Sequence, residues 1–362
     1  MIDEQSVAAA ARAFKLDGEF RSAKAYGSGH IHDTYCATFD DGEREERIIL
    51  QCINTAIFTD PVAVMENIER VTGHLRSRLT READVGRRAL QLIRARAGTC
   101  WHVDGEGRYW RGYRFIEGAQ TYDAVTSPAQ AFEAAKAFGE FQRLLANLPG
   151  PRLHESITDF HNTRKRFEAL ERAVGDDVAK RCAEAREEIA FVMSRRAIAT
   201  SLVSAELPER VTHNDTKLNN VLLDDKTGEG ICIIDLDTVM PGFAAYDFGD
   251  MVRTMTCPAA EDERDLSRVA MDFELFEAVL RGYLEGTGNF LTARERESLI
   301  AGAKVIVFEQ GIRFLSDHLA GDAYYKVGRP GQNLDRCRTQ FKLLESIERQ
   351  QDEMLLLLQS LI

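Results

Sequence analysis

Alternating apolar and polar positions dominate the first 116 residues, with turn residues at 27–29 and 40–42. This period-two pattern predicts strands, which fall at 20–26, 33–39, 47–53, 100–103 and 109–115. Between the third and fourth strands, apolar residues at three- and four-residue steps follow Pro61 and predict a helix. We therefore expect a β-β-β-α-β-β order, with antiparallel strands joined by short turns.

Helical spacing dominates the rest of the chain. Ser127-Pro128, an N-cap followed by proline at the first helical position, predicts a long helix ending near Leu148. Residues 163–203 are also expected to be helical, a strand-rich stretch covers 211–238, and helices are expected again from about Glu261. A chain of 362 residues is long enough for two lobes.

These elements predict an α+β, bilobal protein. The small N-terminal lobe, residues 1–116, would hold a five-stranded antiparallel sheet and one main helix. The larger C-terminal lobe, residues 117–362, would be mainly helical.

Charge and cysteine usage narrow the function classes. The chain carries 46 Lys and Arg against 58 Asp and Glu, and it has no basic run, so nucleic acid and anionic membranes are disfavoured as partners. The seven cysteines are scattered, odd in number and free of C-x-x-C pairs, which argues against a disulfide framework and a zinc site. With neither a signal-peptide pattern nor a membrane-length apolar stretch, we expect a cytoplasmic protein. The sequence does not indicate an oligomeric state.

The strongest chemical signal lies in the strand-rich stretch. His213-x-Asp215 is followed by Asn220 five residues after the aspartate, the spacing of kinase catalytic loops. Phosphoryl transfer needs a carboxylate to accept the proton of the acceptor hydroxyl and a nearby oxygen to hold magnesium. Asp235 ends the next apolar run and supplies a second carboxylate. We predict Asp215 as the catalytic base, Asn220 and Asp235 as Mg²⁺ ligands, and ATP as the phosphate donor.

A literal Asp247-Phe-Gly249 triplet competes with Asp235 for the metal. Asp235 lies twenty residues after Asp215, the length of a loop and a β-hairpin, which returns the strand end to its start. Asp247 is therefore predicted to accept backbone N–H bonds that shape the catalytic loop, with His213 supporting the same loop and Asp250 as a second candidate.

Three stretches carry a likeness to a known group: 213–220, then 234–242 with 246–250, and 311–326. With the N-terminal strand order, they make the chain resemble the aminoglycoside phosphotransferase and choline kinase superfamily of protein-kinase-like enzymes. Within it, the chain looks most similar to the N-acetylhexosamine 1-kinases. The resemblance implies ATP between two lobes and phosphate transfer to the anomeric hydroxyl of N-acetylglucosamine or N-acetylgalactosamine.

The same resemblance assigns further residues. The glycines Gly27 and Gly29 would cover the phosphates, and the hinge backbone from Phe115 to Glu117 would bind adenine. Lys217 would lie beside the reacting phosphate. The sugar contacts it implies are His30, Asp33, Arg313 and Tyr324.

One position departs from the kinase pattern. Gln51 stands on the third strand near the place of the lysine that grips the nucleotide phosphates. Either the register differs, or Lys24 or Lys217 compensates, or nucleotide binding depends on magnesium and loop amides. An inactive kinase is conceivable, but the intact Asp215, Asn220 and Asp235 argue against it.

Two other functions stay open. The kinase could phosphorylate an aminoglycoside, choline or another amino alcohol, although Arg313 and Lys217 in the expected pocket disfavour cationic acceptors. Alternatively, the chain could be a nucleotide-binding module without catalytic activity that acts through partners.

Overall fold

A computed structural model describes residues 2–27, 29, 31–80 and 84–362. It confirms the five-stranded antiparallel sheet, whose strand order is β1-β2-β3-β5-β4. The strands are β1 (Glu19–Ala25), β2 (Asp33–Asp40), β3 (Glu45–Cys52), β4 (His102–Val103) and β5 (Tyr109–Arg114).

The two faces of this sheet have different neighbours. One face packs against helix α1 (Glu4–Arg12) and buries Ala37, Leu50 and Trp110 in a small apolar cluster. On the other face the strand register aligns Thr34 with Gln51, and Gln51 with Arg111. Because side chains alternate along a strand, this row of polar groups points away from α1, towards the helical part of the protein.

The predicted helix after Pro61 is also present. Helix α2 (Pro61–Arg78) begins with the Asp60 side chain accepting the Ala63 N–H, and a short helix α3 (Val85–Arg88) follows. Strand β6 (Ala119–Gln120) then pairs with β8 (Val221–Asp224), which pairs with β9 (Gly230–Ile233). The chain therefore leaves the five-stranded sheet at Arg114 and enters a second sheet at Ala119.

Helices make up most of the remaining chain, and Ser127 caps the first of them as expected, accepting the Gln130 N–H. A further two-stranded sheet pairs β7 (Arg210–Thr212) with β10 (Met240–Gly242). The helices are α4 (Pro128–Leu145), α5 (Thr163–Asp176), α6 (Arg186–Ser194), α7 (Ala244–Met255), α8 (Phe273–Thr287), α9 (Ala293–Glu297), α10 (Leu299–Leu319) and α11 (Gln332–Leu361).

Two helix predictions need correction. The stretch 163–203 is not one continuous helical region, because α5 ends at Asp176 and α6 begins at Arg186. Helices resume at Ala244 and not near Glu261. The sequence hid α7 because its buried face includes Asp247 and Asp250, two charged residues that interrupt the apolar pattern.

Helix α7 crosses α10 at very short range. A Cβ atom on Gly249 would lie 2.3 Å from the carbonyl oxygen of Gly302, and one on Gly302 would lie 2.2 Å from the carbonyl oxygen of Ala245. Only glycine allows backbones to approach so closely. The glycine of the Asp-Phe-Gly triplet therefore serves helix packing, and it fixes the start of α7 against the core.

Within the described part of the chain, no helix combines the length and apolar character needed to cross a bilayer.

Candidate active site

The catalytic loop, residues 213–217, runs between β7 and a 3-10 turn at Leu218–Asn220. Carboxylates of α7 accept its backbone N–H groups. Asp247 Oδ2 accepts from His213 N at 2.8 Å, and its Oδ1 accepts from Asn214 N at 2.7 Å. Asp250 Oδ2 accepts from Thr216 N at 2.8 Å. Buried amides need such acceptors, so α7 fixes the shape of the loop.

Side chains from other elements bind the carbonyl groups of the same loop. The Thr238 hydroxyl donates to the His213 carbonyl at 2.7 Å, and Asn220 Nδ2 donates to the Asp215 carbonyl at 2.8 Å. His161 Nε2 lies 3.1 Å from the Asn214 carbonyl. Three successive peptide groups are thus held from three different parts of the chain.

His213 joins this loop to the end of β9. Its Nδ1 accepts the Asp215 N–H at 3.3 Å, and its Nε2 lies 2.9 Å from the Ile234 carbonyl. One nitrogen faces a donor and the other an acceptor, so the ring is neutral with its proton on Nε2. The ring thereby ties Asp215 to the residue before Asp235.

Asp215 projects from the loop beside a cation. Lys217 Nζ lies 3.0 Å from Asp215 Oδ2, and Asn220 Nδ2 donates to the same oxygen at 3.0 Å. Burial acts to raise the pKa of Asp215, but the Lys217 ammonium and other nearby groups, among them Arg253, together outweigh it, so this pKa lies below its usual value. The carboxylate is therefore ionised at neutral pH and able to accept a proton.

Asp235 follows β9 in a left-handed backbone conformation, with φ of 57°. Burial, with the nearby carboxylates of Asp237 and Asp215, raises the pKa of Asp235 to about 7. Asn220 uses its Nδ2 for Asp215, which leaves its amide oxygen as the atom for a cation. A crowded buried carboxylate and an amide oxygen are hard donors that fit Mg²⁺.

His32, Asp235 and Asp237 bring ligand atoms within 4.8 Å of one another, which suggests a three-residue metal site. The hydrogen bonds of Asp237 and His32 argue against a metal site made of all three residues. Arg111 donates to both oxygens of Asp237 at 2.5 and 2.6 Å. His32 Nδ1 accepts the Asn54 N–H at 3.1 Å, so its Nε2 carries the proton and donates to Asp237 at 3.2 Å. Of the three, Asp235 is the residue suited to a metal.

Both amide atoms of Gln51 are engaged by neighbouring strands. Arg111 Nε donates to Gln51 Oε1 at 2.9 Å, and Gln51 Nε2 donates to Thr34 Oγ1 at 3.1 Å. A cation from β5 thus lies where a lysine from β3 was expected, and it is engaged by Asp237. Arg111, Asp237 and His32 were not predicted from the sequence. An arginine on a predicted strand between Trp110 and Gly112 was the available signal for the first of them.

Glu66 and Glu69 on α2 take no part in this arrangement. Glu66 pairs with His154 at 2.8 Å and Glu69 with Arg94 at 2.7 Å. Neither forms the lysine–glutamate pair of kinases, because Gln51 offers no charge.

The hinge keeps some polar groups free of protein partners. Phe115 N–H bonds the Arg47 carbonyl, and Arg87 binds the Glu117 carbonyl at 3.0 Å. Among the backbone contacts of the described residues, the Phe115 carbonyl and the Glu117 N–H have no partner. Tyr26 places its ring edge against Phe115, with centroids 5.7 Å apart. This site has the carbonyl and N–H pair that an adenine edge can bind.

The glycine loop between β1 and β2 is described in part. Gly27 has φ of 80°, a conformation that favours glycine, and a Cβ added to either Gly27 or Gly29 would have no atom within 4 Å. His30, expected to contact the sugar, lies outside the described residues. Asp33 is exposed, and strand alternation places it on the sheet face of Tyr35, opposite Thr34 and Gln51. Among the described residues of this segment, His32 contacts the C-terminal part through Asp237.

Arg313, Tyr324 and Tyr325 form what we call the acceptor wall. The Arg313 guanidinium lies 5.3 Å from the ring centroid of Phe160 and 5.7 Å from that of Tyr325. It donates one hydrogen bond within the described chain, to Gln310 Oε1 at 3.1 Å. Tyr324 is 61% exposed, and Asp317 binds its backbone N–H at 2.7 Å. Of the two tyrosines, the one whose ring contacts Arg313 is Tyr325, which was not among the residues expected from the sequence.

Several solved structures share the fold of this chain. The chain superposes on an aminoglycoside phosphotransferase from Alicyclobacillus acidocaldarius with a TM-score of 0.59, covering 98% of this chain and 97% of that one at 13% identity. A spectinomycin phosphotransferase in complex with ADP and spectinomycin gives 0.58, with 96% and 99% covered at 13% identity. A microcompartment-associated aminopropanol kinase gives 0.56, with 97% and 98% covered at 15% identity. At these identities the likeness establishes the bilobal kinase-like fold.

A sequence comparison identifies the family. The model of the phosphotransferase enzyme family matches residues 22–297, which include the glycine loop, the catalytic loop and α7. That match covers more than half of the chain. With the fold and the arrangement around Asp215, it shows that the chain belongs to the phosphotransferase enzyme family and is a small-molecule phosphotransferase.

Proposed function

We propose that the protein transfers the γ-phosphoryl group of ATP to the anomeric hydroxyl of an N-acetylhexosamine, giving the sugar 1-phosphate. The observation that carries the chemical part is the Asp215 carboxylate, ionised, bound by Lys217 and Asn220, and fixed by α7. The choice of sugar is supported by the resemblance and by the cationic acceptor wall.

Each group near Asp215 has a defined task in this proposal. Asp215 accepts the proton of the acceptor hydroxyl as that oxygen bonds to phosphorus and the bond from phosphorus to the ADP oxygen breaks. Lys217 moves from pairing with Asp215 to balancing charge on the transferring group, since its Nζ already lies 3.0 Å from the base.

Asn220 Oδ1 and the Asp235 carboxylate would hold Mg²⁺, which when bound neutralises charge on the nucleotide phosphates. The crowding that raises the pKa of Asp235 to about 7 favours this use, because a cation relieves it. Binding of the ion would ionise Asp235.

The hinge would bind the adenine through the Phe115 carbonyl and the Glu117 N–H. Nucleotide binding is supported by the ADP complex of the similar spectinomycin phosphotransferase. Gln51 does not grip phosphate in this proposal, since both of its amide atoms are engaged by Arg111 and Thr34. Lys217 and the glycine-loop amides would take that part.

The acceptor wall favours a neutral or anionic acceptor. Arg313 brings a positive charge with one protein hydrogen bond, so its remaining N–H groups can bind sugar hydroxyl or acetamido oxygens. A cationic acceptor would meet repulsion there. The competing candidate acceptor is an amino alcohol or an aminoglycoside. It is favoured by the similarity in fold to an aminoglycoside phosphotransferase and an aminopropanol kinase.

ADP release with a panel of acceptors tests the proposal. The panel holds N-acetylglucosamine, N-acetylgalactosamine, glucosamine, galactosamine, aminopropanol, choline and kanamycin, each with and without Mg²⁺. We expect Mg²⁺-dependent turnover with an N-acetylhexosamine and a product whose phosphate is on C1 by NMR. Turnover confined to the amino alcohols or kanamycin would refute the sugar assignment, and ATP binding without turnover would favour a non-catalytic role.

A further inference from the structure

We propose that His161 is a positioning residue that acts as an imidazolium: backed by Glu309, it donates its Nε2–H to the Asn214 carbonyl and fixes the peptide that leads into Asp215. This inference rests on the role proposed for Asp215 and not on the identity of the acceptor.

The contacts of His161 set it apart from the other two buried histidines at the site. His161 Nδ1 lies 2.8 Å from Glu309 Oε1, and its Nε2 lies 3.1 Å from the Asn214 carbonyl oxygen. Both partners accept hydrogen bonds, so both ring nitrogens must carry a proton. His32 and His213 each accept a backbone N–H at Nδ1 and are neutral.

Glu309 is suited to hold that charge. Its side chain is 2% exposed, that of His161 is 7% exposed, and Thr163 Oγ1 donates to the second Glu309 oxygen at 2.6 Å. Burial acts to raise the pKa of Glu309, but His161, the Arg313 charge and the Thr163 hydrogen bond together outweigh it, so this pKa lies below its usual value. A buried carboxylate needs such a cation, and breaking the pair would leave an uncompensated charge.

The position of Asn214 makes this contact relevant to Asp215. Asn214 has φ of 65°, an uncommon conformation for a residue with a side chain. Its N–H binds Asp247 and its carbonyl binds His161, so the backbone leading into Asp215 is held both from α7 and from the segment before α5. Without His161 the carbonyl loses its donor and the peptide can rotate, which moves the Asp215 carboxylate away from Lys217.

The charged surroundings decide the pH behaviour. Glu309 on α10 and Asp250 on α7 favour the imidazolium, whereas burial opposes it, and the balance raises the pKa of His161. The Tyr246 ring lies 5.1 Å from that of His161 but stays neutral, because burial raises the pKa of its phenol. The Arg313 charge acts on Glu309 and helps to keep it ionised. The donor is therefore present below the folded-state pKa of His161 and is lost as pH rises through that pKa.

The first test is spectroscopic and needs no activity. In wild-type protein with ¹⁵N-labelled histidine, assigned by through-bond correlations, we expect both ring nitrogens of His161 to be protonated at pH 7. The exposed His154, whose Nε2 lies 2.8 Å from Glu66, supplies the matched histidine–glutamate pair as an internal reference. A His161 ring with one protonated nitrogen at pH 7, with the proton on Glu309 instead, would overturn the proposal.

The second test is kinetic. In Glu309→Gln and His161→Gln we expect kcat to fall about 10- to 100-fold, as for a misplaced catalytic group, with the KM for ATP changed less than about threefold. The alkaline limb of the kcat profile should move to lower pH in Glu309→Gln, because the neutral amide no longer holds the proton. His154→Gln should leave kcat and the alkaline limb of the kcat profile unchanged. An unaltered kcat and profile in a folded Glu309→Gln would refute a positioning role, whereas failure of the Asp215 assignment would leave the NMR result intact.

Discussion

The catalytic loop and the acceptor wall are held in different ways. In the loop, buried side chains bind the amides of His213, Asn214 and Thr216, and others bind the carbonyls of His213 to Asp215. In the wall, Arg313 makes one hydrogen bond to a neighbour on its own helix, and Tyr324 is largely exposed. The groups proposed for the chemistry are thus fixed before substrate arrives, whereas the groups proposed to contact the acceptor have fewer protein partners among the described residues.

This difference fits a family in which one frame serves many acceptors. Phosphoryl transfer requires in-line geometry and charge stabilisation, which rigid groups provide. Acceptor choice can change with a few side chains that make no hydrogen bond to the catalytic loop. Substitutions in the loop should therefore affect turnover with every acceptor, and substitutions in the wall should affect some acceptors only.

The largest effect is expected for Asp247→Ala. Two buried amides would lose their acceptor, at a cost of about 1–3 kcal/mol each, and the loop would no longer present Asp215. The free energy of unfolding in urea and kcat, measured together, should both fall, while the exposed Asp225→Ala serves as control. A variant that is destabilised but keeps the wild-type kcat would contradict the role given to the catalytic loop, since turnover would then not depend on the geometry of the loop.

The next largest effect is expected when the ion pair between Arg111 and Asp237 is removed. Their side chains are 1% and 2% exposed. Arg111→Met leaves the buried Asp237 carboxylate without its cation and with the His32 N–H as a remaining donor, so we expect a loss of about 3–5 kcal/mol in the free energy of unfolding. Combining it with Asp237→Leu should restore part of that loss. The control is Arg114→Met, which removes a half-exposed pair with Glu46 and should cost less than about 1 kcal/mol. Equal losses in the two single variants would contradict the buried bridge.

A smaller and acceptor-dependent effect is expected for Arg313→Met. Loss of a charged donor to the sugar should raise the KM for the sugar about 10- to 100-fold, with the KM for ATP unchanged. Lys304→Met, on the same helix, removes a cation bonded to Gln351 and should change neither constant. A rise in both KM values would show that the wall and the loop are not separate.

The smallest effect is expected for Tyr324→Phe. Its exposed hydroxyl can donate at most one neutral hydrogen bond to an acceptor, so the sugar KM should rise no more than about tenfold. Tyr325→Phe should act on the sugar KM indirectly. The Tyr325 hydroxyl accepts a hydrogen bond from Gln310, and Gln310 in turn accepts one from Arg313. Initial-rate kinetics of the two variants with a single sugar would separate a direct contact from an indirect one.

The sequence predicted the elements that have strong local signals. These signals lie in short stretches of sequence. They are the alternation of the strands, the proline and N-cap at α2 and α4, and the spacing of Asp215, Asn220 and Asp235. Helix α7 was missed because charged residues on its buried face disguised the period, although Asp247 within it was selected from spacing.

Contacts between distant segments could not be predicted in the same way. His161 meets Glu309 across 148 positions, and Arg111 meets Asp237 across 126. Nothing near either residue marks its partner, because a buried charge is compensated only once the chain has folded. Gln51 is an example, because its partner Arg111 lies on another strand and cannot be identified from the residues near Gln51 in the sequence.

The role proposed for Asp215 is to accept the proton of the acceptor hydroxyl during phosphoryl transfer. It is tested most directly by Asp215→Asn in rapid-quench single-turnover experiments, using the acceptor phosphorylated by wild-type protein, with ATP binding measured in parallel. We predict that transfer slows by about 10²- to 10⁴-fold while the Kd for ATP stays within about threefold. Transfer within tenfold of the wild-type rate, in a folded variant that binds ATP, would contradict the assignment.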